Sequence, residues 1–86
     1  MNFPLDELEV TAADQIAASR YAVVVARSDQ DGVFIASAPD IPNLHTHGLT
    51  REATAKAADE VIALWIAGAR EMGDVVPSPR FRVVVN

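Results

Sequence analysis

At 86 residues the chain has room for one small domain, which buries only ~60–65% of its extended-chain surface on folding. Its formal charge of −5 argues against tight binding of a phosphate backbone, because nucleic-acid modules carry a basic face, and the lack of cysteine excludes disulfides and thiolate metal sites. Half of the residues are hydrophobic, yet no apolar run reaches membrane-spanning length and the first ten residues are acidic, so a cytoplasmic protein is expected.

Residues 1–10, "MNFPLDELEV", read as an acidic N-terminal arm leading into a single domain over 11–86. Within "TAADQIAASR", Thr11 and Asp14 have capping-box spacing: the threonine hydroxyl can accept a first-turn N–H while the aspartate faces the positive end of the helix. Ala13, Ile16 and Ala17 would give this short helix a weak apolar stripe. A longer helix from Pro4, with Leu5, Leu8, Ala12 and Ile16 in line, fits the residues as well. Either version needs something to pack against.

"YAVVVAR" is β-branched and apolar on both faces, which predicts a strand over Tyr21 to Arg27. Asp31-Gly32 then supplies the positive-φ positions of a hairpin connection, and "VFIASA" is the returning strand. Pro39 and Pro42 bracket Asp40 and Ile41; neither proline can donate to a central ladder, so the chain must bend outward there. A short third strand over Leu44 to His47 ends at Gly48.

Thr50 caps the main helix, "REATAKAADEVIALWIAGAREMG". Ala53, Ala57, Val61, Leu64, Trp65 and Gly68 follow helical spacing, with Arg51, Lys56, Asp59, Glu60 and Arg70 mostly on the other side. Gly73 is placed to end it. Trp65 is expected in the core, with its N–H reaching a carbonyl near the proline connector "VVPSPR". A last strand, "FRVVV", follows.

The predicted class is α+β: a short N-terminal helix, a three-stranded antiparallel meander, a long helix on one sheet face, and a final strand beside the first. One helix covers only one face of so apolar a sheet. The other requires the N-terminal helix, a second subunit or a partner, which predicts self-association to a dimer or larger. An acidic protein suits a basic protein partner, whose approach it steers.

The order of these pieces resembles the HicB family of antitoxins from about Thr11 to Arg82. It is carried by the aromatic-led "YAVVV", the acidic turn and double-proline bend of "DQDGVFIASAPDIPNLHTHGLT", the helix "REATAKAADEVIALWI" and the closing "EMGDVVPSP". Members often have Gly-Cys after the second proline, where this chain has Asn43-Leu44. The resemblance implies a partial ribonuclease-H-like fold without nuclease activity. It also implies a partner, a HicA-type toxin: a small basic ribonuclease with a double-stranded-RNA-binding-like fold and a catalytic histidine. On this reading the protein occludes the toxin's active site through Asp29, Asp31, Pro39, Asp40, Ile41, Pro42, His45 and His47. Direct DNA binding is not expected of a short form that lacks the C-terminal DNA-binding domain common in the family.

Two sharper chemistries compete with this reading. His45 and His47 would share a strand face and could ligate one ion, but a third ligand would have to come from Asp40 or another strand. The favoured reading leaves both imidazoles exposed on an edge strand, with Leu44 and Thr46 turned to the helix and no metal bound. A nuclease needs carboxylates converging on metal ions, and neither "YAVVVAR" nor "FRVVV" contains one. No hydrolytic activity and no cofactor are expected. The alternative function is a stand-alone oligomeric structural or regulatory module of the same fold without a toxin.

Overall fold

A computed structural model describes residues 9–80. Five elements follow in order: α1 (Ala12–Ala18), β1 (Val24–Ser28), β2 (Val33–Ser37), β3 (His45–Gly48) and α2 (Arg51–Met72). The α+β class with a three-stranded antiparallel meander, order β1-β2-β3, is as the sequence predicts. The expected fourth strand, together with Pro4, Leu5 and Leu8 of the longer-helix alternative, lies outside the described residues.

Thr11 is the N-cap of α1, in extended conformation, so the helix starts at Ala12. The capping box is complete: the Asp14 N–H donates to the Thr11 hydroxyl at 3.2 Å, and the Thr11 N–H donates to the Asp14 carboxylate at 2.9 Å. The predicted apolar stripe is not the one the fold buries. Ile16 is 62% exposed, whereas Asp14 and Ala18 are the buried pair. They lie four residues apart on the side that packs against α2. An aspartate can occupy that position because its carboxylate also receives the guanidinium of Arg70, so burial leaves it no unmet charge.

Tyr21 does not open the first strand. It is a buried core residue, its hydroxyl donating to the Pro77 carbonyl, and pairing begins at Val24 opposite Ser37. The sequence assigned the link to the proline connector to Trp65, but Tyr21 makes it. Burial, and then the nearby Asp40 carboxylate, push the phenol above its usual pKa and keep it a donor. The β1–β2 turn also differs from expectation. Gly32 alone takes a positive φ there, +67°, and its N–H donates to the Ser28 carbonyl at 2.8 Å. Asp31 stays in ordinary conformation because a four-residue loop needs only its last member left-handed.

In the β2–β3 connection, Asn43 has φ +63°, a conformation that asparagine tolerates better than most side chains. Ile41 and Leu44 turn inward to the core, and Gly48 ends β3. A Cβ on Gly48 would lie 2.6 Å from the Thr54 hydroxyl oxygen, 3.2 Å from its nitrogen and 3.3 Å from its Cα. The sheet and α2 touch here backbone to backbone.

Thr50 caps α2, its hydroxyl accepting the Ala53 N–H at 3.0 Å. Thr50→Ala is expected to cost about 1 kcal/mol through this lost bond, read as a lower urea midpoint with an unchanged slope. The helix ends in a Schellman arrangement: Gly73 is left-handed at φ +71°, and the Asp74 N–H donates to the Ala69 carbonyl at 2.8 Å. The buried positions are Thr54, Ala58, Ile62, Ala63, Ile66, Ala67 and Ala69, one residue out of step with the stripe expected from Ala53, Ala57, Val61, Leu64, Trp65 and Gly68. An alanine-rich helix offers apolar residues around most of its girth, so periodicity alone does not choose the face. The deeper line begins with a threonine, whose hydroxyl is satisfied by the Thr50 carbonyl at 2.6 Å.

Candidate functional site

The register fixes which side chains share a sheet face. Val25, Ala36 and Thr46 are aligned partners on the α2 side, and Ala36 is fully buried there. On the reverse face Val24, Ser37 and His45 form one row, Ala26, Ile35 and His47 the next, and Ser28 and Val33 a third. α1 packs against α2, which removes the N-terminal helix as a cover for this face. Val24 and Ile35 are 48% and 38% exposed. Its eight positions carry no formally charged Asp, Glu, Lys or Arg, an unusual surface for a sheet facing water.

A shallow hollow on this face is lined by Asp31, Val33, Ile35, His45, Thr46 and His47. Three of the eight residues expected to contact a partner meet there. Asp29 does not line the hollow; it is exposed and paired with Arg27 at 3.1 Å. Asp31 accepts the Ser28 hydroxyl at 3.5 Å, a distance too long to hold it firmly.

The double-proline bend, which continues from the end of β2 away from Asp31, does not line this hollow, but its Ile41 and Pro42 share a second one with His45. Pro39 and Pro42 are exposed. Ile41 is 3% exposed and a core residue, so it shapes the bend mainly from inside. Asp40 is half-buried and accepts the Arg80 N–H at 2.8 Å, fastening the proline connector to the bend.

The histidines are exposed on one face, and Leu44 is buried beneath them. Among the described residues no group of three or more His, Asp or Glu side chains could hold a metal ion. Asp40 accepts the Arg80 N–H and joins no such group. Replacing His45 and His47 together by Gln should leave thermal stability nearly unchanged, and zinc or nickel should not shift the melting temperature of the wild type. A rise that disappears in the double variant would make the pair a ligand set.

Sequence reasoning missed a second feature, the aromatic Phe34 beneath two guanidiniums. Arg27 lies 5.6 Å and Arg51 5.1 Å from its ring centroid. The ring and Arg27 are aligned partners on adjacent strands, which the register makes plain and the linear sequence does not. These cation–π contacts hold the first turn of α2 over the end of the sheet.

Among the described residues no helix is long and apolar enough to cross a membrane. Comparison with family models, curated proteins and solved structures gives no match to the chain.

Proposed function

We propose that the chain is an antitoxin-like inhibitory protein, which binds a HicA-type toxin and occludes its active site without enzymatic activity of its own. The observation that carries the reading is the uncharged sheet face, uncovered among the described residues, with Asp31, His45 and His47 around Val33 and Ile35. Apolar residues ringed by polar ones are what a specific contact surface needs. The acidic balance of the chain suits a small basic ribonuclease. The left-handed Asn43 supports the resemblance, since it takes the conformation glycine adopts most easily where the family often has one.

The test is co-expression with the product of the reading frame adjacent to the one that encodes this chain. Rescue from growth arrest is expected, and it should be lost in an Ile35→Asp, Asp31→Arg variant that still unfolds cooperatively. Rescue undiminished in that variant, or no arrest by the neighbour alone, would sink the reading. Purified protein incubated with RNA and magnesium or manganese should give no cleavage above background. Cleavage abolished by Asp29→Asn or Asp31→Asn would overturn the non-enzymatic assignment.

The same uncharged face favours a second reading, a module that self-associates with no toxin. Sedimentation of the chain alone separates the two: a dimer that Ile35→Asp turns into monomer supports it, and a monomer at micromolar concentration removes it.

A further inference from the structure

His45 and His47 are the only side chains among the eight positions of the reverse sheet face that change charge near neutral pH. Both are exposed, and the register sets them directly beside Ser37 and Ile35. Imidazole ordinarily gains its positive charge between about pH 8 and pH 5. Mild acid therefore turns an uncharged face cationic. Residues two apart on a strand stand about 7 Å from each other, so the two charges also repel.

Few other charges face the pair among the described residues. Asp31, from the β1–β2 turn, is the one carboxylate lining their hollow. It is exposed, and it can offset one positive charge but not two. In the second hollow, which His45 shares with the bend and α2, the other lining residues are Ile41, Pro42, Asn43, Leu44, Val61 and Trp65, none of them charged. Asp40 lines neither hollow and accepts the Arg80 N–H. Arg27 and Arg51 gather over Phe34, two residues before Ala36 and so on the α2 side of the sheet.

A partner seated over Val33 and Ile35 takes both imidazoles out of water. Burial disfavours their charged form, and a basic partner repels it. The two effects act in the same direction, so the complex holds fewer protons than the separate molecules. By linkage, affinity is full above the imidazole range and is lost as pH falls through it. We propose that His45 and His47 make binding at the sheet face acid-labile, so that the partner is held at neutral pH and released by mild acid. This acid release rests on the inhibitory contact proposed above and adds its regulation.

The experiment is calorimetric titration of the full chain with the product of the adjacent reading frame, at about pH 7.5 and about pH 5.5. With both imidazoles neutral in the complex, the dissociation constant should rise about a hundredfold over that interval, about tenfold for each histidine. Binding midway between the two should release protons, seen as a heat that depends on the ionisation enthalpy of the buffer. The double variant His45→Gln, His47→Gln cannot take up these protons. Whatever its affinity at neutral pH, the ratio of its two dissociation constants should be smaller by about tenfold or more. The urea midpoint of the free chain should be the same at both pH values. An unchanged ratio in the double variant, an affinity that is flat or rises in acid, or a free chain that loses stability in step with binding would each overturn the proposal. In those cases the inhibitory contact still stands if Ile35→Asp abolishes binding at neutral pH. Failure to bind at either pH, or binding indifferent to Ile35→Asp, removes the contact and the acid release with it.

Discussion

Gly48→Val is expected to destabilise the protein by about 3 kcal/mol, lowering the melting temperature by roughly 10–20 °C. The cause is space rather than backbone conformation. A Cβ at this position would stand 2.6 Å from the Thr54 hydroxyl oxygen and 3.2 Å from its backbone nitrogen. The hydroxyl cannot swing away without giving up the Thr50 carbonyl it is bonded to, and Thr54 is fully buried. Relief therefore requires β3 and the first turn of α2 to separate, which opens the core beneath them. Gly48→Ala should cost less, and its cost should shrink in a Thr54→Ala background, where the nearest obstacle is gone. Urea unfolding of the two single variants and the double variant measures this coupling. Simple additivity, or a neutral Gly48→Ala, would mean that the strand and helix are not wedged together here. Gly32 offers the contrast: its Cβ would meet nothing within 4 Å, so Gly32→Ala should cost only about 1 kcal/mol, through its positive φ.

The second large effect is a pH dependence centred on Asp14. Burial alone would raise the pKa of this carboxyl. The Thr11 backbone N–H, then the Arg70 guanidinium and the Thr11 hydroxyl, outweigh burial and hold it below the ordinary aspartate value of 3.8. A carboxylate depressed on folding contributes stability that is present above its unfolded pKa and is lost as pH falls through the folded one. The wild type should accordingly lose stability on acidification below about pH 4, and Asp14→Asn should lose less over the same interval. At neutral pH the same substitution should cost about 2 kcal/mol, the scale of a hydrogen bond to a charged partner. Urea midpoints of both proteins between pH 3 and pH 7 settle the matter. Parallel curves would show that Asp14 contributes nothing specific, and that other carboxylates carry the acid response.

How far these features could be read in advance depended on whether they were local. Capping at Thr11 and Thr50, the helix stop at Gly73 and the outward turn of His45 and His47 depend on residues within one or two turns of each other. Each was legible. The buried side of α2 was not, because Ala53, Ala57 and Ala63 satisfy several apolar stripes and only the partner elements select among them. Asp14 was read as a cap and nothing more; its burial depends on Arg70, 56 residues away. For the candidate site, alternation placed the histidines correctly, but grouping Asp31 with them required the pairing register. Ile41 was included as a contact because the resemblance implies one for the whole double-proline bend, and a resemblance says little about which way a side chain in a tight bend will point.

Two of the long-range polar ties have a kinetic meaning. Tyr21 with Pro77 and Asp14 with Arg70 each join residues 56 positions apart, whereas the meander and the cap of α2 are built from near neighbours along the chain. Closing the longer loops costs more chain entropy, so a nucleus of hairpins and helix forms before the ends are fastened. In the native protein the reverse order applies. α1 and the proline connector are expected at the low-energy end of the opening hierarchy, so that their amides should exchange with solvent while the sheet and the middle of α2 remain closed.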